Sequence, residues 1–289
     1  MLVNMKGMLA DAAKGGFAVG GFNFASLESG TGAVRASEEM GVPFVLEHAP
    51  AHEEYVPLEV AGPIMLMLAR RAKTPVAVHL DHGNSVELCL KALRLGFTSV
   101  MFDGSALPYE ENIRQTAFVC RVAHEFGATV EAELGAMPHN LKGELKEYAP
   151  EDFYTRPEEA KRFVAETGVD ALAISFGTVH GVYKTIPKLS FSVIDEVRKS
   201  TGELPLVMHG GSGLSNEDYA QAIAKGIRKI NYYTYGAIAA GRSVYEIVRE
   251  KPEGLQFHDV SARATQAVCE DVKRVMRLFR TGVATTPAL

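Results

Sequence analysis

With 289 residues, a formal net charge of −5 and 47% apolar side chains, the chain has the size of one α/β barrel and enough apolar residues for one large core. Acidic and basic residues are interspersed, so no basic patch is offered to nucleic acid or an anionic membrane, and no run approaches the roughly 18 apolar residues of a membrane span. Residues 1–13 contain Asp11 and lack an apolar stretch with a small-residue cleavage site, which argues against a secretory signal and for a cytoplasmic protein. Cys89, Cys120 and Cys269 fall at unrelated spacings with no CxxC pair, as expected of reduced thiols rather than a redox or metal site.

Eight short apolar runs read as strands: 17–22, 43–47, 75–80, 99–102, 129–134, 171–176, 205–209 and 229–232. Segments with helical spacing separate them, at 26–40 (opening on a Ser26 cap), 57–71, 86–95, 109–126, 157–166, 191–199, 216–225 and 237–249. Strand and helix alternating eight times is the pattern of parallel strands joined by crossover helices, and the count selects a closed barrel over an open sheet. The expected fold is therefore a single (β/α)8 barrel domain over residues 1–289 with an additional C-terminal helix at 262–279.

Barrels of this kind place their chemistry at the C-terminal lip. The third run ends in Asp81-His82-Gly83, and the chain repeats the arrangement with His180-Gly181 and His209-Gly210 after the sixth and seventh runs. Each pair alone is compatible with a core or helix-capping histidine. Three such histidines at three strand ends suit neutral imidazoles holding one divalent metal with an open position for substrate. Asp103 ends the fourth run, Glu131 and Glu133 lie in the fifth and Asn231 ends the eighth. So many ionisable groups at one lip are expected of a site, because unpaired buried charge would only cost stability.

A second signal concerns phosphate. Gly181 to Lys184, Gly210 to Gly213 and Asn231 to Thr234 follow the last three strands. Their glycines let backbone N–H groups approach an anion, Ser212 and Thr234 add hydroxyls and Lys184 adds charge. Between Gly135 and Thr155 a long loop with little apolar periodicity reads as a lid.

The motifs His79-Leu-Asp-His-Gly83, Val130-Glu-Ala-Glu-Leu-Gly135, Gly177-Thr-Val-His-Gly-Val-Tyr-Lys184 and His209-Gly-Gly-Ser-Gly213, in this order and over nearly the whole chain, resemble the class II, metal-dependent fructose-bisphosphate and tagatose-bisphosphate aldolases. The resemblance implies cleavage of a ketose 1-phosphate or 1,6-bisphosphate, a sugar-phosphate substrate, to dihydroxyacetone phosphate and an aldehyde. It implies His82, His180 and His209 as ligands of one Zn2+ per subunit, Asp103 and Glu133 in the metal's surroundings, and Asp81 as the acid/base for the hydroxyl next to the broken bond. Asn23, Gly181, Lys184, Gly210, Ser212, Asn231 and Thr234 would hold substrate and its phosphate, with a monovalent cation (Na+ or K+) nearby. A homodimer or homotetramer is implied as well.

Three departures bear on the other end of the substrate. Ala49 stands where the family often has a phosphate-binding serine, preceded by Glu47 and His48. Tyr233 replaces the aspartate of Asn-x-Asp-Thr, and the lid's Gly-Gly-Glu is missing, leaving Glu144 or Glu147 as its base. From these substitutions Glu47, His48 and Tyr233 are expected at the aldehyde end, with a preference for an aldehyde uncharged at its far end. The alternatives are a metal- and sugar-phosphate-binding barrel without turnover, and a metallohydrolase barrel, which the Gly21-Phe22-Asn23 sequence disfavours because it lacks a His-x-His after the first strand.

Overall fold

The computed structural model describes residues 1–135, 153–182, 187–251 and 253–281. Eight parallel strands, β1 (Val19–Asn23), β2 (Phe44–His48), β3 (Val76–Gly83), β4 (Ser99–Phe102), β5 (Thr129–Leu134), β6 (Ala171–Ile174), β7 (Leu206–Met208) and β8 (Ile227–Tyr232), pair in sequence order and close between β8 and β1. The fold is the expected (β/α)8 barrel. Its helices are α1 (Met5–Gly15), α2 (Leu27–Met40), α3 (Leu58–Arg71), α4 (Val86–Leu95), α5 (Tyr109–Glu125), α6 (Pro157–Thr167), α7 (Phe191–Thr201), α8 (Asn216–Lys225), α9 (Thr234–Glu250) and α10 (Phe257–Thr281). Ser26 caps α2 by accepting from the Ser29 N–H, and Ser29 answers in a reciprocal capping box.

Because strand side chains alternate in direction, the barrel wall separates two cores. Outward residues such as Phe44, Leu46, Val78, Val100, Leu172 and Ile230 pack against the helix layer. Inward residues Val19, Val45, Ala77, Ala171, Ala173 and Val207 meet Met5, Met8, Leu9 and Ala12 of α1, which plugs the N-terminal end of the barrel. Those four α1 residues recur at helical spacing and are all buried. This plug helix is absent from the expected elements, and α9 begins at Thr234, three residues earlier than expected.

Above the apolar plug the barrel interior is ionic. Lys229 of β8, wholly buried, places its Nζ 2.7 Å from Glu47 Oε1 of β2 and 3.0 Å from Glu131 Oε2 of β5. It also donates to Asn231 Oδ1 at 2.7 Å. Gly21 makes the space: a Cβ there would overlap the Glu47 carboxylate. His79 completes this layer, its Nδ1 2.7 Å from Ser99 Oγ. The layer serves as a charged floor for what lies above it.

Candidate active site

The upper rim gathers Asn23, Asp81, His82, Asp103, Glu133, His180, His209 and Asn231. Asp81 points inward as its strand position dictates, so His82 should point outward. Instead His82 has φ 49, making it the one non-glycine residue in the left-handed region among those described, and the β3–β4 register shifts between Leu80 and Gly83. This twist brings two consecutive side chains to the same lip. A left-handed conformation at a non-glycine residue costs roughly 1–3 kcal/mol and tends to occur where function requires it.

His82 Nδ1 donates to Asp103 Oδ2 at 2.7 Å, and Asp103 Oδ1 accepts from the Ser105 N–H at 3.1 Å and from Ser105 Oγ at 2.6 Å. That bond leaves the His82 Nε2 lone pair facing His180 Nε2, 3.3 Å away. His209 Nε2 donates to Glu131 Oε1 at 2.8 Å, and its Nδ1 lies 3.1 Å from Glu133 Oε2. Neither His209 Nδ1 nor Glu133 Oε2 makes a hydrogen bond, although both are buried.

Ligand atoms of His82, His180 and His209 all lie within 4.8 Å of one another, as do those of His82, Asp103 and Glu133. Two nitrogens each about 2.0–2.1 Å from a tetrahedral zinc are themselves about 3.4 Å apart, close to the His82–His180 separation. Carboxylate partners behind His82 and His209 are the usual support for imidazole ligands. The donor set therefore fits a divalent metal held by His82, His180 and His209.

The electrostatics follow the same geometry. Burial alone would raise the Asp81 carboxyl, but His82, His209, Lys229 and His79 around it hold it well below the usual carboxylate range. Asn231 Nδ2 donates to Asp81 Oδ1 at 2.9 Å and Asn23 Nδ2 to its Oδ2 at 3.1 Å, fixing the carboxylate plane. Burial likewise works against the His209 imidazolium, yet Glu131 and Glu133 push it up to about 10. Glu131, with Lys229 and His209 beside it, falls to about 2 against its burial, whereas Glu47 rises to about 8 through burial. The difference is one of neighbours: Glu131 has two cationic partners, and Glu47 has only Lys229 while facing Asp81 and Glu131.

A cavity of about 430 Å3 opens over this cluster, lined on one side by Gly181, Gly210, Ser212, Asn231 and Thr234. Gly210 has φ 64, and a Cβ there would strike the Val179 carbonyl. Ser212 Oγ accepts from the Tyr233 N–H at 3.0 Å, and α9 starts at Thr234, so a helix N-terminus faces the cavity beside these loops. The opposite wall is Ala49 with the short 3-10 helix Pro50–His52, where the His52 and Tyr233 rings meet edge-on at 4.6 Å. His52 went unrecognised in the sequence because it belongs to no strand-end motif.

Two expected residues lie elsewhere. Glu47 is fully buried on Lys229 in the charged floor, because its strand position faces the barrel axis below the rim. His48 is the next residue and faces outward, its Nδ1 3.3 Å from the Phe24 carbonyl oxygen and its Nε2 3.7 Å from Glu53. Neither lines the cavity, so the aldehyde end is not built from them. Glu131 also sits in the floor rather than at the lip. Lys184, Glu144 and Glu147 lie outside the described residues.

Residues 3–282 match the family described as fructose-bisphosphate aldolase class-II. The chain belongs to the class II fructose-bisphosphate aldolase family. This aldolase is 40% identical over 287 residues to a fructose-bisphosphate aldolase of Staphylococcus aureus, covering 97% of this chain and 98% of that one. Among solved structures it is similar to the YdjI aldolase of Escherichia coli K12, with 34% identity, a TM-score of 0.85 and coverage of 96% and 97% of the two chains. The Campylobacter jejuni fructose-bisphosphate aldolase, at 20% identity and TM-score 0.78, shares the fold over 96% of this chain and 95% of that one. As an aldolase the chain is a carbon–carbon lyase of carbohydrate metabolism acting on a sugar phosphate. No helix among the described residues is long and apolar enough to cross a membrane.

Proposed function

We propose that this aldolase cleaves a ketose 1-phosphate or ketose 1,6-bisphosphate reversibly to dihydroxyacetone phosphate and an aldehyde, with one zinc ion held by His82, His180 and His209. The observation that carries the reading is the convergence of three imidazoles on the lip beside an anionic, doubly restrained Asp81. A divalent metal there would polarise the ketone and the adjacent hydroxyl and stabilise the charge that develops as the carbon–carbon bond breaks.

The chain's own groups do the rest. Asp81, ionised and held by Asn23 and Asn231, accepts the proton of the hydroxyl on the far side of the breaking bond and returns it in synthesis. Asp103 and Glu131 orient His82 and His209 through the nitrogens not offered to the metal. Gly181, Gly210, Ser212 and Thr234 bind the phosphate, joined by Lys184, and Glu144 or Glu147 would move the proton on the carbanion carbon. A sodium or potassium ion beside the phosphate is carried over from the family resemblance alone. Residues 1–289 act as one domain in a cytoplasmic homodimer or homotetramer.

A coupled assay for dihydroxyacetone phosphate, run on ketose 1-phosphates and on fructose 1,6-bisphosphate with zinc-loaded protein, tests the reading. Release from at least one ketose phosphate, abolished by a chelator and restored by zinc, is the expected result. Release that persists without metal would overturn it.

A further inference from the structure

The cavity wall opposite Gly210 and Ser212 is poor in polar side chains. Ala49, Pro50 and Ala51 bring none, which leaves His52 at the end of the short 3-10 helix. Its backbone is tied on both sides: the N–H donates to the Ala49 carbonyl at 2.9 Å, and the carbonyl accepts from the Tyr55 and Val56 N–H groups, each at 3.0 Å. A fixed turn therefore carries the ring. Its edge-on contact with Tyr233, 4.6 Å between ring centroids, sets the two side chains against each other, and Tyr233 lines the same cavity.

His52 is only 6% exposed, yet among the described residues its ring makes no hydrogen bond, and the Tyr233 hydroxyl makes none either. A buried polar group left unpaired costs stability, so a cavity wall that keeps one beside a second free polar group is expected where a ligand supplies the partner. Burial holds the imidazole below the ordinary histidine value, helped by His48 and opposed by Asp81, so the ring is uncharged at neutral pH. A neutral imidazole offers one donor and one acceptor, and a phenol donates and accepts as well. Both match a sugar hydroxyl, which does the same.

We infer that His52 and the Tyr233 hydroxyl bind hydroxyl groups of the aldehyde half of the substrate, on carbons beyond the bond that breaks, and so set which hydroxylated aldehydes the enzyme accepts. The inference rests on the aldolase reading above and deepens it. With the phosphate at Gly181, Gly210, Ser212 and Thr234 and the reacting hydroxyl at Asp81, the remaining carbons of the ketose are left to the wall that carries His52. Neither His52 nor Tyr233 exchanges a proton in the reaction. They act through binding, and an aldehyde that lacks the hydroxyl leaves them unpaired.

The test uses the zinc-loaded full chain with dihydroxyacetone phosphate and pairs of aldehydes that differ by one hydroxyl: glyceraldehyde with lactaldehyde, and erythrose and threose each with its 4-deoxy analogue. In at least one pair the hydroxylated aldehyde should have a kcat/KM higher by about tenfold or more. Tyr233→Phe removes the hydroxyl and keeps the ring, and His52→Leu removes the ring nitrogens. Each should cut that preference by about threefold or more, through the hydroxylated member of the pair, and His52→Asn, whose amide donates and accepts, should restore part of it. Deuterium exchange into dihydroxyacetone phosphate, measured in the same preparations, is the reference for competent enzyme, and Tyr233→Phe decides the matter if His52→Leu does not fold. No preference in any wild-type pair, a preference unchanged in either folded variant, or equal losses for both members of a pair would overturn the inference. Exchange without a preference sinks this inference alone; absence of exchange in the wild-type chain sinks the aldolase reading with it.

Discussion

Lys229 Nζ lies 2.7 Å from Glu47 Oε1 at the centre of the barrel, and both side chains are fully buried. With the Glu131 carboxylate, this pair forms the floor beneath the histidine cluster. Lys229 is kept protonated against its burial by Glu131, Glu47 and Asp81, so its charge is present throughout the working pH range.

Removing the cation should therefore be costly. Lys229→Met leaves the Glu131 carboxylate buried without its ammonium partner and should lower unfolding free energy by about 3–5 kcal/mol, the usual cost of breaking a buried pair. Glu47→Leu in the Lys229→Met background should recover part of that loss, giving a coupling well above about 0.5 kcal/mol. Urea denaturation of the two single variants and the double variant reads this coupling directly. Additive losses would mean the pair contributes nothing as a pair.

The proposed metal site makes a graded prediction. His82→Ala, His180→Ala and His209→Ala should each lose most bound zinc, since each removes one of three protein ligands. Asp103→Asn keeps the proposed ligands but weakens the orientation of His82, for which a drop in zinc affinity of roughly 10- to 100-fold is typical. Competition with a chromophoric chelator measures all four. Full occupancy in any histidine variant would take that residue out of the ligand set.

Asp81 should separate from the ligands in its phenotype. Asp81→Asn should bind zinc as the parent does, yet lose cleavage by about 10²- to 10⁴-fold, because the amide cannot accept the hydroxyl proton. A variant that lost its zinc as fully as the histidine variants would make Asp81 a ligand instead.

Cysteine chemistry gives a pH test that does not depend on metal or substrate. Burial pushes the thiols of Cys89 and Cys120 up to about 12, from an ordinary value of 9.0. A raised folded pKa stabilises the folded state below the unfolded value and loses that contribution as pH rises from about 9 toward about 12. Iodoacetamide at pH 8.5 should leave both residues unmodified in the native protein and alkylate them in urea. The fall in Tm above pH 9 should become shallower in Cys89→Ala/Cys120→Ala. Rapid alkylation of the native protein would contradict the burial of these thiols.

Much of this architecture is legible in the sequence for a physical reason. Strands buried on both faces read as apolar runs, and the strand ends carry Asp81, His82, His180 and His209 with turn-making glycines next to them. Period-two alternation also explains what was misread. Glu47 and Glu131 lie in strands that end at the lip, and a sequence shows that they face inward without showing how deep they sit. Lys229, a lysine inside an apolar run, looks like an edge residue until its two carboxylate partners, far apart in sequence, are brought to it. The α1 plug carries the plain helical spacing of Met5, Met8, Leu9 and Ala12, but nothing in that segment says that the helix closes a barrel end.

Solvent deuterium exchange into dihydroxyacetone phosphate, without any aldehyde, isolates the first half of the proposed chemistry. With zinc-loaded protein the account predicts that one carbon-bound hydrogen is exchanged stereospecifically, that chelation stops the exchange and that zinc restores it. Zinc-loaded, folded protein that leaves dihydroxyacetone phosphate unlabelled would contradict the account.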